Sequence, residues 1–191
     1  MNSLVLLNIP KNKVPILETE RLILNEQTEN DLQEIFRLRS EPQVMRYIDR
    51  VPAEDIEDAH KFLNVIKESS NNGLGVSWGI RLKGSPKLIG NMGYWRMLPE
   101  HFRAEIGYAL LPEYHRQGIM HEALHAVLNY GFTQMNLHTV MADINPLNKA
   151  SRALLLKTGF NCEAYFKENF FFNGKFLDSE IYGIVKTDYL K

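Results

Sequence analysis

Residues 104–123 read Ala-Glu-Ile-Gly-Tyr-Ala-Leu-Leu-Pro-Glu-Tyr-His-Arg-Gln-Gly-Ile-Met-His-Glu-Ala, and this stretch decides the fold. Its first half has the composition of a strand and is stopped by Pro112. A short basic turn, His115-Arg116-Gln117, leads to Gly118, and a helical pattern follows. A helix begins with N–H groups that have no partner in the helix and with the positive end of its dipole. A glycine at that point lets an anion approach the backbone, and Arg116 adds a cation beside it. Strand, basic turn, glycine and helix together fit an anion-binding junction, and equally an ordinary strand-turn-helix junction in which Gly118 only relieves strain. Neither the Walker lysine-serine pair nor a GxGxxG pattern is present, so the familiar nucleotide loops do not describe it.

Working outward, residues 17–25 read as a strand. Residues 28–40 read as a helix that Thr28 or Asn30 can cap and Pro42 stops, and residues 53–70 as a second helix ended by Asn71-Asn72-Gly73. Strands are predicted at 76–82, 88–96 and 103–111, then a helix at 118–132, a strand at 137–144 and a helix at 148–158 closed by Gly159. Two last strands, 162–172 and 176–185, flank Asn173-Gly174, a strong hairpin signal. The order β-α-α-β-β-β-α-β-α-β-β argues an α+β domain around one mixed sheet. Residues 1–14 show no period and read as an N-terminal extension, leaving 15–191 as one domain.

Composition narrows the function classes. The chain has 191 residues, 45% of them hydrophobic, with 22 basic and 23 acidic side chains and a net charge of -1. That balance offers no bulk attraction to nucleic acid or to an anionic membrane, so neither is an expected partner. An anionic ligand must be held by local geometry. The single cysteine, Cys162, excludes an intrachain disulfide and fits a cytoplasmic location. The apolar run Leu4 to Leu7 is too short for a signal-peptide core, and no stretch has the length of a membrane span.

Four ordered blocks resemble the GNAT acetyltransferase superfamily, and its RimJ/RimL branch in particular. Residues 115–120, His-Arg-Gln-Gly-Ile-Met, resemble the coenzyme A motif Q/R-x-x-G-x-G/A, with His115 and Met120 departing from it. Around them, Ile106, Gly107, Tyr108, Leu110, Pro112, Tyr114, Gly118, Glu122 and Ala123 match the branch pattern I-G-Y-x-L-x-P-x-Y-x-x-x-G-x-x-x-E-A. Residues 145–160 resemble N-x-x-N-x-A-S-x-x-L-x-x-K-x-G-F. Residues 18–24 match E-T-E-R-L-I-L, and Glu163, Gly174 and Asp178 follow in the usual order.

The resemblance implies a GNAT fold, a central twisted sheet in which two neighbouring parallel strands, here 103–111 and 137–144, splay apart. Acetyl-coenzyme A as co-substrate is then expected in the gap. The backbone of Leu110 and Leu111 would bond its pantetheine arm, and the amides of Arg116, Gln117, Gly118, Ile119, Met120 and His121 its pyrophosphate. Ser151 becomes the expected proton donor to the leaving thiolate, with Tyr108 and Tyr165 next in line. The tyrosine that many relatives carry four residues later is Leu155 here. Asn148 is expected at the site too, touching reaction and cofactor. It and Ser151 also read as a helix cap and a small helix residue. Glu105 is the expected base or amine anchor, or else a strand carboxylate paired with Arg96 or Arg103.

The resemblance also implies an amine acceptor, and a protein or peptide N-terminal α-amine is favoured. An α-amino group, with a reference pKa of about 7.7–8.0, is roughly one-fifth neutral near pH 7.4, whereas about one lysine in a thousand is. Such an acceptor needs only a weak base. The alternatives are a small amine such as an antibiotic, amino acid or polyamine, and a catalytically silent acyl-coenzyme A-binding protein. Exposed edge strands leave a homodimer open. One competing motif is present: residues 121–125, His-Glu-Ala-Leu-His, match HExxH. A zinc site of that kind needs a third ligand, and nothing in the spacing supplies one, so no metal is expected.

Overall fold

A computed structural model describes residues 6–191. The start of the expected extension and of the Leu4–Leu7 run lies outside those residues. Eight strands form one sheet in the order β1-β2-β3-β4-β5-β6-β8-β7. They are β1 (Leu17–Glu18), β2 (Leu22–Asn25), β3 (Val76–Leu82), β4 (Leu88–Leu98), β5 (Arg103–Leu110), β6 (Thr139–Ile144), β7 (Asn161–Phe172) and β8 (Lys175–Val185). Every neighbouring pair is antiparallel except β5 and β6, which run parallel. The helices are α1 (Leu32–Ser40), α2 (Pro42–Met45), α3 (Ile56–Asn71), α4 (Ile119–Thr133), α5 (Lys149–Lys157) and α6 (Lys186–Tyr189).

The mixed α+β architecture is the expected one, with local corrections. The predicted strand 17–25 is two short strands in a tight hairpin. Thr19 donates its N–H to the Leu22 carbonyl and accepts from the Leu22 N–H through its hydroxyl, which closes the turn. Pro42 ends α1 but also opens α2, since a proline suits the first helical turn and holds Glu41 extended. The second predicted helix begins at Ile56, because the Asp55 carboxylate caps it by accepting the Asp58 N–H. Asn173 and Gly174 both have positive φ, 48° and 78°, as the two-residue turn joining β7 to β8 requires.

The core explains how the site is held. One face of α4 (Ile119, Ala123, Leu124, Val127, Leu128 and Phe132) is buried against Trp78, Tyr94 and Val140 of the sheet. Gly131 sits where any side chain would strike the Tyr94 hydroxyl, which donates to the Val127 carbonyl at 2.9 Å. That bond ties α4, and hence the turn before it, to the middle of β4. The stretch before β1 also packs down: Val14 is buried and the Trp78 indole donates to the Pro15 carbonyl. Beyond β2, Arg81 and Asp31 form a buried ion pair at 2.7 Å, which fixes α1 on the sheet.

Candidate active site

The parallel pairing of β5 and β6 stops early. Arg103, Ala104 and Glu105 pair with Thr139, Val140 and Met141, and beyond that point the strands part. The β4–β5 ladder shows which backbone groups face the gap. The Leu111 N–H bonds the Ile89 carbonyl, and the alternation of an antiparallel ladder then turns the odd residues 105, 107 and 109 toward β4. Ile106, Tyr108 and Leu110 turn their N–H and C=O groups the other way, toward β6. Leu111 departs from expectation here: its N–H is engaged by Ile89, and its carbonyl accepts from Tyr114. Leu110 faces the gap with its N–H, while its carbonyl lies 2.8 Å from His115 Nε2, which must carry the hydrogen.

The strand runs into an anion cradle. Arg116 and Gly118 have positive φ, 60° and 77°, and bend the chain so that successive N–H groups converge. Among the described residues, none of the amides of residues 116–121 has a hydrogen-bond acceptor. A Cβ at Gly118 would meet only Arg21 Nη2, at 3.4 Å. Arg21 itself is placed by Glu122, which takes its Nε at 2.6 Å and its N–H at 2.9 Å and also accepts from the Thr19 hydroxyl. Arg21 Nη1 donates to the Gln117 carbonyl at 3.0 Å. Two of the sequence blocks, about a hundred residues apart, thus meet at one turn.

The other end of the gap opens into a cavity of about 400 Å³. Tyr108, Ser151, Asn148 and Glu105 all line it. Tyr108 Oη and Ser151 Oγ are 2.7 Å apart. Burial pushes the Tyr108 phenol up to about 12, against the pull of the Ser151 contact. Asn148 caps α5, its side-chain oxygen accepting the Ser151 N–H at 3.1 Å. Glu105 is 3% exposed, and Arg96 Nη1 donates to it at 2.9 Å. Burial pushes the Glu105 carboxyl up, and Arg96 draws it back. Arg96 reaches Glu105 from a β-bulge, where it adopts a positive φ of 41°.

Some expectations do not meet at this point. Tyr165 is exposed on β7, outside the cavity wall, and its hydroxyl donates to Asp178. His121 and His125 stack edge to face at 4.6 Å, but the Glu122 between them is engaged by Thr19 and Arg21. Among the described residues no group of three His, Cys, Asp or Glu side chains converges as a metal site would need. No described helix is long and apolar enough to cross a membrane. Trp95 and Phe170, aromatic residues whose sequence suits either sheet core or an acceptor pocket, line the cavity, and so do three residues that the sequence did not point to: Arg39, Asp49 and Arg50. These three come from α1 and the loop before α3, and no local pattern marks them.

Comparison with known proteins agrees with this geometry. The sequence profile of the Acetyltransferase (GNAT) domain family matches residues 21–161. An uncharacterized N-acetyltransferase, YoaA of Bacillus subtilis (strain 168), is 37% identical over 172 residues, 90% of this chain and 97% of its own. The [ribosomal protein uS5]-alanine N-acetyltransferase of Escherichia coli (strain K12) is 27% identical over 66% of each chain. The spermidine N(1)-acetyltransferase of Vibrio cholerae is 25% identical over 89% of this chain and 96% of its own. The crystal structure of a GNAT-family acetyltransferase from Bacillus anthracis superposes with a TM-score of 0.81 at 28% identity, covering 91% of this chain and 99% of that one. The splayed strands, the turn between them and these likenesses agree, and the chain belongs to the GNAT family of acetyl-coenzyme A-dependent acyltransferases.

Proposed function

We propose that this enzyme transfers acetyl directly to the α-amine of a protein or peptide N-terminus, as RimJ/RimL-type enzymes do. The observation that carries the reading is the Tyr108–Ser151 pair, 2.7 Å apart on the cavity wall where β5 and β6 part. Residues 15–191 form the catalytic domain in this reading, with residues 1–14 as an extension.

The residues present fit coenzyme A. The unpartnered amides of Arg116, Gln117, Gly118, Ile119, Met120 and His121 suit a pyrophosphate, and the gap-facing backbone of Tyr108, with the Ile106 carbonyl and the Leu110 N–H, suits the amides of a pantetheine arm. Acetyl-coenzyme A supplies a thioester carbonyl for amine attack and a thiolate that must leave with a proton. Ser151 hands its hydroxyl proton to the departing sulfur. Tyr108 stays protonated at neutral pH, because its phenol is held up to about 12; it replaces the proton that Ser151 gives up and takes one back from solvent, while the proton shed by the acylated amine goes to Glu105 or water. Asn148 holds the first turn of α5 so that Ser151 faces the cavity.

Glu105 supports the choice of acceptor. Burial raises its carboxyl and Arg96 only partly draws it back, which leaves a carboxylate as the base. That suits an α-amine, of which roughly one-fifth is already neutral near pH 7.4, better than a lysine. The test is release of free thiol from acetyl-coenzyme A against free-N-terminus peptides, N-terminally blocked lysine peptides and spermidine. The α-amine peptides are expected to give the highest kcat/KM. Faster turnover of the blocked lysine peptides or of spermidine would move the enzyme to another acceptor class.

A further inference from the structure

Two cations in the acceptor cavity have no ion-pair partner among the described residues. Arg39 comes from α1 and Arg50 from the loop before α3, and both line the cavity. Among the described residues, neither guanidinium has a carboxylate within ion-pair distance or a hydrogen-bond acceptor. Each is held by an aromatic face instead: Arg39 lies 4.2 Å from the Phe62 ring centroid, and Arg50 lies 4.3 Å from that of Trp95. A stacked guanidinium keeps its N–H edge free, and that edge matches a planar oxyanion with two parallel hydrogen bonds. Arg50 repels the half-buried Arg39, while the exposed Arg50 is itself repelled by Arg96 and attracted by Glu105. Asp58 faces Arg39 but pairs with Lys61. Arg96, the third cation of the cavity, is taken by Glu105.

Asp49 and Asp143 also line the cavity, and Asp49 lies 3.4 Å from the Asn145 side-chain nitrogen. With Arg96 and Glu105 paired, the lining keeps two cations, Arg39 and Arg50, and two carboxylates, Asp49 and Asp143, that form no ion pair with them among the described residues. A polycation would meet the two arginines uncompensated. A neutral carbonyl would accept their hydrogen bonds but leave their repulsion in place. An oxyanion relieves both.

Building on the α-amine reading, we propose that the acceptor is zwitterionic: an amine that meets Asp49 and Asp143 and carries, close by, a carboxylate or other oxyanion that Arg39 and Arg50 clamp. For a peptide this means an acidic residue among the first positions. For a small acceptor it means an amino acid rather than a polyamine.

The experiment measures kcat/KM for matched peptides with Asp, Asn, Lys or phosphoserine placed in turn at positions one to three, beside free aspartate and spermidine. The Asp peptide is expected to exceed its Asn twin about tenfold, mainly through KM, as one charge-assisted bidentate pair provides. Phosphoserine arms separate a phosphate from a carboxylate preference, and free aspartate separates a small acceptor from a peptide. In an Arg39→Gln, Arg50→Gln double variant the Asp-to-Asn ratio is expected to fall toward one. In Arg50→Glu it is expected to shift toward Lys. Equal rates for Asp and Asn peptides, or an unchanged ratio in the double variant, overturn the clamp while leaving the α-amine reading intact. Turnover of free aspartate alone supports the clamp and removes the peptide. Turnover of spermidine alone removes both.

Discussion

The two ends of the gap between β5 and β6 are built in opposite ways. In the proposed function the cofactor end is one continuous stretch, residues 106–121, working through backbone: amides turned outward by alternation along β5, then amides converged by the positive φ of Arg116 and Gly118. The acceptor end is assembled from side chains of α1, the loop before α3, the β4 bulge, β5, β6, α5 and β7. Backbone recognition tolerates a change of side chain, so His115 and Met120 can replace the usual residues of the motif without removing an N–H. Side-chain recognition does not. The difference teaches where this enzyme shares chemistry with its family and where its own specificity is set.

The largest expected effect breaks the cofactor end. Gly118→Asp places a Cβ where φ is 77° and a negative charge in the cradle. Acetyl-coenzyme A affinity should fall more than about 100-fold, as expected when charge-assisted contacts become repulsion. A ligand at about 100 times its Kd adds about 2.7 kcal/mol of stability, so the ligand-induced rise in Tm should vanish. An undiminished rise would place the pyrophosphate elsewhere.

Next comes the seam between the two ends. Ser151→Ala should lower kcat by about 10- to 1,000-fold, because a proton donor acts in the transition state and water can partly replace it. The Kd of acetyl-coenzyme A should stay close to that of the wild type when read by calorimetry. A wild-type kcat would make Ser151 a packing residue, and the acid would then have to be Tyr108 reaching the sulfur itself.

A smaller effect tests whether the cofactor end is as local as it looks. Glu122→Ala releases Thr19 and Arg21, which brace the turn at Gln117 and Gly118 from about a hundred residues away. Cofactor affinity should weaken by about 3- to 10-fold, the scale of a single exposed ion pair with its hydrogen bonds. An unchanged Kd would mean that the turn holds its shape without the brace.

The mildest effect is a matter of pH. The Tyr108 phenol is raised in the folded state from 10.0 to about 12. Between those values the folded chain keeps a proton that the unfolded chain has lost. The stability that this proton carries is present below pH 10 and is lost as pH rises toward about 12. Tyr108→Phe should therefore flatten the alkaline fall of Tm across that window. A fall as steep as in the wild type would assign it to other tyrosines, such as the fully buried Tyr94.

Much of the fold was legible because its signals are local. Alternation marked β3 over Val76–Leu82, the apolar face marked α4, Asn148 announced the start of α5, and Asn173-Gly174 announced the last hairpin. Residues 17–25 misled, because a turn closed by the Thr19 hydroxyl leaves no Gly or Pro to read. Tyr165 misled as well: its place in the chain suits an acid, but its strand points it away from the cavity.

The order of elements was readable from the sequence alone, because strand, helix and turn signals rest on residues a few positions apart, while the parallel pair was expected only through the resemblance to a family. The folded chain was needed to show that Leu111 is closed to a ligand, that Ser151 meets Tyr108, that Glu122 braces Arg21, and that Arg39 and Arg50 share a cavity without an ion-pair partner among the described residues. The physical reason is range. Backbone conformation follows from neighbouring residues, whereas the charge balance of a cavity depends on side chains that packing alone brings together.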